Sequence, residues 1–387
     1  MFDDLSSEAR RILDAVPGLV EKTFPLPARF RKSLPRGIAE LSRFLTSGRG
    51  ERGTSYLGKP DLLSAYLRYF LPWNLYRLCR LLPSLPLSLA EGDAVTDLGS
   101  GPLTFPAALW ISRPDLRNVP LEFRCLDRTP AVLDAGKRFF AALTEHSAGS
   151  SGAGSLWKTR TIPETLGVPV HGKPAALVSA VNFLNELYQD IPHTSRRGLE
   201  RAAHLYAGII DRLAGGAVLV VEPGTPRSGE FISCMRDALA EKGKFPLSPC
   251  PHTGPCPFPG GKGGRWCHFA FDTEHAPAAL HKLSAAAGIP KERAVLSFLF
   301  SGPENPKPAA ELVRVISDLF PVKPTGRAGS YGRYGCSLKG PVLIRGERPF
   351  METLVSGSLF APPLEASGER DKKSGALIVS GERISLQ

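Results

Sequence analysis

From Ala94 onward, short runs rich in Val and Leu alternate with helical segments, and that alternation limits the fold of this chain more than any other feature. AVTDLG, LEFRCLD, AALVSAVNFL and AVLVVEPG read as strands, while PAVLDAGKRFFAALTEH and SRRGLERAAHLYAGIIDRLA between them carry helical periodicity. Short apolar runs rich in Val and Leu, each followed by a turn and a helix, suit burial on both faces of a parallel sheet. FISCMRDALAEKG and HAPAALHKLSAAAG add helices and AVLSFLF a further strand. Before this block the pattern is helical, with one amphipathic segment over Asp4 to Val20 and a longer one over Leu62 to Leu82 that mixes Arg and aromatic residues. The expected organisation is a helical region over 1–90, a ligand-binding α/β domain over 91–235, a cysteine-rich extension with the last strands of the sheet over 236–345, and a small β appendage over 346–387.

The first strand ends in Asp97-Leu98-Gly99-Ser100-Gly101. Glycines there let the backbone turn tightly beside a ligand, and the next helix points its free amides toward it. A dinucleotide fingerprint would need a third glycine where Thr104 stands, so the nicotinamide version fails. An acid ahead of the glycines instead resembles motif I of the Rossmann-like S-adenosylmethionine-dependent methyltransferases. The fold class expected from that resemblance is α/β, a Rossmann-like methyltransferase fold with a helical N-terminal region and a cysteine-rich, metal-binding extension. In that class an acid closing the second strand accepts hydrogen bonds from the ribose hydroxyls, and Asp127 stands there. Leu103 occupies a place where many of these enzymes carry a glycine, and its bulk would crowd the methionine end of the cofactor. The fourth strand ends in VNFLNEL, placing Asn182, Asn185 and Glu186 at the pocket, without the Asn-Pro-Pro-aromatic sequence that orients a flipped base. No catalytic residue is assigned.

Cys250, Cys256 and Cys267 fall in CPHTGPCPFPGGKGGRWCHF, a stretch with few core-forming side chains. Their spacing matches neither paired zinc-ribbon cysteines nor a ferredoxin run. A closed set needs a fourth ligand, for which Cys336, His252 and His268 are the candidates. Four thiolates suit an iron–sulfur cluster or zinc; three and an imidazole favour zinc. Cys79, Cys125 and Cys234 lie in apolar segments and read as core.

DLGSGP, VEPGTP at Val221 to Pro226 and the cysteine stretch together resemble the mitoribosomal small-subunit methyltransferase-like family, over roughly Tyr56 to Lys339. The resemblance implies an S-adenosylmethionine site at Asp97, Gly99, Ser100, Gly101, Asp127 and Asn182. It also implies a 4Fe–4S cluster on Cys250, Cys256, Cys267 and Cys336, with zinc as the alternative metal, and association with the RNA of the small ribosomal subunit, chiefly as an assembly factor.

Charge agrees with a polyanionic partner: 48 Lys and Arg stand against 37 Asp and Glu. Two basic regions are candidates for RNA. One is Gly326 to Cys336, where Arg327 and Arg333 alternate with Tyr331 and Tyr334, joined by Lys262, Arg265 and Lys323. The other is RFRKSLPRG, from Arg29 to Gly37, with the Arg-bearing helix near Tyr66 to Arg80. The acidic, amphipathic start is unlike a secretory signal, and no apolar run is long enough for a membrane span. The reading is a bacterial cytoplasmic protein with no membrane partner, monomeric away from the ribosome. An active rRNA methyltransferase, or a zinc methyltransferase for a protein or small molecule, are the alternatives.

Overall fold

A computed structural model describes residues 1–46, 56–148, 155–261, 264–306, 312–322, 330–362 and 368–380. Eight strands form the main sheet: β1 (Ala94–Leu98), β2 (Glu122–Leu126), β3 (Lys158–Ile162), β4 (Ala175–Val181), β5 (Ala214–Pro223), β6 (Phe245–Ser248), β7 (Phe269–Asp272) and β8 (Arg293–Gly302). Their order is β3-β2-β1-β4-β5-β8-β6, with β7 also on β8. β1 to β5 are parallel, while β8 runs antiparallel to β5, β6 and β7. This is the doubly wound 3-2-1-4-5 order with a reversed strand inserted before the last.

Helices cover both faces. One core joins the first ninety residues to the sheet, packing Ile12, Val16, Trp73 and Tyr76 with Phe123, Phe269 and Phe298. The other packs the helices Arg196–Leu213 and Pro226–Ala240 on Leu98, Val178 and Val220. β1 is buried at all five positions, Thr96 and Asp97 included. β3 escapes that reading because it is an edge strand of polar sequence, KTRTI, with only partial burial.

The segment Leu62 to Leu82 is helical, but its polar side is covered as well as its apolar one. It runs as Pro60–Ala65, a π turn over Tyr66–Phe70, and Leu71–Leu81, and the last piece is buried on almost every side. The π turn stands just before Pro72, which has no N–H to give the preceding turn, and Leu71 N–H donates back to the Tyr66 carbonyl. Its arginines turn inward instead of forming a basic face: Arg68 pairs with Glu21 at 2.8 Å, and Arg80 with Asp4 at 3.7 Å and Asp272 at 3.5 Å.

A second, six-stranded sheet contains β9 (Val313–Val315), β10 (Phe320–Pro321), β11 (Ser330–Ser337), β12 (Gly340–Glu347), β13 (Leu359–Phe360) and β14 (Leu377–Ser380). It has its own small core of Val313, Val342, Ile344, Met351, Leu354 and Leu377. Strands on both sides of residue 345 therefore share one sheet. Among the described residues no helix is long and apolar enough to cross a membrane.

Candidate functional sites

At the carboxyl ends of β1, β2 and β4 lies a cavity of about 390 Å³. Asp97, Gly99, Ser100, Gly101, Asp127 and Asn182 all line it. Gly99 and Gly101 hold φ of +63° and +55°. A Cβ on Gly99 would sit 2.1 Å from a ring carbon of Phe183, so the residue must be glycine for steric as well as conformational reasons. Gly101 N–H donates to Asp127 Oδ2 at 3.1 Å and Thr129 N–H to Oδ1 at 2.9 Å. Each oxygen keeps a second lone pair for an incoming hydroxyl. Asn182 takes a left-handed φ of +51° and donates its N–H to the Val221 carbonyl at 2.7 Å, which ties the end of β4 to β5.

Asp97 is 1% exposed. Ser179 Oγ donates to its Oδ1 at 2.7 Å, and Oδ2 is buried with no partner. Burial, with the Asp127 carboxylate adding to it, pushes the Asp97 carboxyl up to about 7. Leu103 does not crowd the cavity. Its backbone is left-handed, φ 54°, and its side chain packs against Gly136, so the bulk points away from the ligand space.

Sequence reasoning missed half of this wall. Leu57, Tyr66 and Asn74 come from the N-terminal helices, and Glu164, Gln189 and Asp190 from the loops after β3 and β4. Burial pushes the Tyr66 phenol up, helped by Glu186 and Asp127, so it stays a neutral donor. Ligands of open parallel sheets bind beyond the carboxyl ends of the strands, a rule that points to Glu164 once β3 is recognised. The lining contains five carboxyl groups (Asp97, Asp127, Glu164, Glu186, Asp190) and one guanidinium, Arg128, 3.8 Å from Glu186. Such a wall suits a cationic ligand and repels a diphosphate.

A second, smaller cavity of about 30 Å³ lies where the two sheets meet. Cys250, Cys256, Cys267 and Cys336 all line it, together with Arg236 and Arg314. The first three come from the loop between β6 and β7, and Cys336 from β11. His252 lies 3.4 Å from Cys336 Sγ, and His268 stacks on Trp266; neither lines the cavity. Burial pushes the thiols of Cys267 and Cys336 well up, and that of Cys250 up. Among the described residues no group of three or more His, Cys, Asp or Glu meets the geometry for holding a metal ion. The four thiols nevertheless face one space, larger than the ~10–15 Å³ that one water needs. The donor set is soft sulfur, suited to iron–sulfur or zinc. Beside it, Arg236 Nε and His252 Nδ1 are buried without partners. Four thiols on one cavity are the residues that would hold a thiolate-bound metal. The loop also has apolar anchors, contrary to its sequence: Phe258 is buried, and Trp266 lies over Gly229 of the helix Pro226–Ala240.

Of the basic candidates, Lys262, Lys323 and Arg327 lie outside the described residues. Arg333 is buried and donates to the carbonyls of Met351 and Ser317, so it is a structural link and not a phosphate ligand. Arg265 lies over the Tyr334 ring at 4.4 Å, and Phe320 stacks on the same ring, so both partners are engaged internally. Arg29, Arg31, Lys32 and Arg36 are exposed around Phe30, itself 44% exposed.

The strand order and the acid-glycine turn define an α/β protein of the Rossmann-like methyltransferase class. The family model described as mitochondrial small ribosomal subunit Rsm22 matches residues 98–323, and the chain belongs to that family. No curated protein matches it. Similar solved structures include magnesium protoporphyrin IX methyltransferase of Synechocystis PCC 6803 with bound SAM, at 10% identity over 69% of this chain and 97% of that one, TM-score 0.33. A SAM-dependent methyltransferase of Thiobacillus denitrificans in complex with S-adenosyl-L-homocysteine has 15% identity over 56% and 72%, TM-score 0.29. The 16S rRNA methyltransferase KamB has 13% identity over 55% and 88%, TM-score 0.32.

Proposed function

We propose that this protein binds S-adenosylmethionine in the acidic cavity, binds RNA of the small ribosomal subunit, and acts in subunit assembly or translation in the bacterial cytoplasm. The observation that carries the reading is the lining of five carboxyl groups and one guanidinium in a chain whose formal net charge is +11. S-adenosylmethionine brings a sulfonium and an ammonium, and the buried, unpartnered Asp97 Oδ2 is a natural acceptor for its cationic end. Asp127 would take the ribose hydroxyls and Tyr66 close the cavity from above. Family membership supports the ribosomal partner, and the exposed basic patch around Phe30 supplies phosphate-pairing groups beside an aromatic ring.

Cys250, Cys256, Cys267 and Cys336 would hold a 4Fe–4S cluster, or zinc, whose contribution is to join the cysteine loop to the second sheet. An active rRNA methyltransferase is the second reading, favoured by Asn182 and Glu186 standing on the cavity wall; a zinc methyltransferase for a protein or small molecule is the third. Incubating the purified protein with methyl-labelled cofactor and immature small subunits separates them. Cofactor and subunit binding without label transfer supports an assembly factor. Transfer lost on Asp97→Ala supports the enzyme, and absence of cofactor binding overturns the reading of the cavity.

A further inference from the structure

We infer that Arg236 and Arg314 are the counter-charges of a metal–thiolate centre in the cysteine cavity, and so positioning residues that set its affinity and potential. The inference rests on the reading above that this cavity holds iron–sulfur or zinc. Four thiolates around a dicationic core, whether zinc or an oxidised cubane, leave two negative charges in surplus. Moving that charge out of water is costly unless opposite charge waits beside it. Two guanidiniums stand on the cavity wall, one from each half of the molecule: Arg236 from the helix Pro226–Ala240 and Arg314 from β9.

Among the described residues neither arginine has a buried carboxylate partner. The Arg236 side chain is 4% exposed, its one ion pair among the described residues is with the half-exposed Asp237 at 2.9 Å, and its buried Nε has no partner. Arg314 pairs with no carboxylate among the described residues. Its Nε donates to the Pro249 carbonyl at 3.0 Å and its Nη1 to that of Gly357 at 2.8 Å. Arg236 donates from Nη2 to the carbonyls of His252, at 3.3 Å, and of Gly254. Each guanidinium thus holds the backbone next to Cys250 while facing the thiols. A hydrogen-bonding clamp alone would not require a permanent charge at either position, since an amide side chain also donates to a carbonyl. A pair of fixed cations beside four cysteines, with no buried carboxylate to match them, favours an anion in the cavity. Reducing the centre by one electron deepens its negative charge, so nearby cations favour the reduced form.

The test uses the full chain, loaded anaerobically with ferrous iron and sulfide or with zinc, as wild type, Arg236→Gln, Arg314→Gln and the two Lys counterparts. Gln keeps a donor and removes the charge; Lys keeps the charge. Metal retention is titrated against a chelator, and for the iron form the midpoint potential of the visible chromophore is recorded. Each Gln variant is expected to lose about 10–100-fold in metal affinity and to shift the midpoint to lower potential, with Lys restoring most of both. A metal-binding wild type whose Gln variants keep its affinity and potential overturns the inference, as do Lys variants that lose as much as the Gln variants. A wild type that takes up neither metal overturns the reading of the cavity and this inference with it. Circular dichroism of each variant shows whether it is folded; where a Gln variant is not, the Lys variant's potential and affinity decide.

Discussion

Asp97 concentrates the chemistry of the acidic cavity in one carboxyl. Its proton leaves near 3.8 in an ordinary setting but is held to about 7 in the fold, because burial penalises the charged form. Between those values the folded protein binds more protons than the unfolded chain, so this group makes the ligand-free protein less stable as pH rises through the window. Asp97→Asn should flatten that dependence in urea titrations between pH 4 and 8. A cation bound beside the carboxylate needs it ionised. Affinity for S-adenosylmethionine should therefore weaken by up to about tenfold per unit as pH falls below about 7. Calorimetry checks this, and an unchanged pH slope in Asp97→Asn would contradict it. Gly99→Ala drives a Cβ into the Phe183 ring at a positive φ, and should cost roughly 1–3 kcal/mol of stability. It should also abolish cofactor binding, as read by thermal shift with and without ligand. The acid-glycine turn was legible in the sequence because local spacing defines it. Tyr66, Asn74 and Asp190 were not, because only long-range packing brings them to the same wall. Leu103 was misread because its left-handed backbone, which turns the side chain toward Gly136, leaves no mark in the residue type.

At the scale of elements, burial decided what could be read. β1, β4 and β5 announce themselves by apolar runs, whereas β3 is polar and lies at an edge. The helical stretch through Tyr66 to Arg80 looked basic and half-solvated, yet Arg68 and Arg80 meet acids carried in from Glu21, Asp4 and Asp272. Nothing within the segment forecasts those partners. The basic element left facing solvent is Ala28–Arg31 with the start of Leu34–Thr46. That second helix packs on Pro60–Ala65, the lead-in to the Tyr66 turn, so the patch and the cofactor cavity are joined by one run of helices. Replacing Arg29, Arg31, Lys32 and Arg36 by Ser should weaken binding to small-subunit RNA. It should reduce the slope of log affinity against log salt by about 3 if all four meet phosphates of single strands. Filter binding at several salt concentrations reads the slope, and a slope equal to wild type would place the RNA elsewhere.

In the whole molecule the two sheets meet at the cysteines. Three thiols and Arg236 belong to the main α/β body, while Cys336 and Arg314 belong to the second sheet. The sequence hinted at this only through a shortage of core residues, and understated Phe258 and Trp266, which anchor the loop by ordinary packing. A metal at this junction would add its binding energy to the contact between the halves. Quantifying iron, sulfide and zinc in the anaerobically purified full chain, alongside its visible spectrum, tests that claim most directly. The expected result is a coloured protein with iron and sulfide in equal amounts, or a colourless one with one zinc, the metal being lost on Cys336→Ser in either case. Wild-type protein carrying no stoichiometric metal, or metal content unaffected by Cys336→Ser, would contradict it.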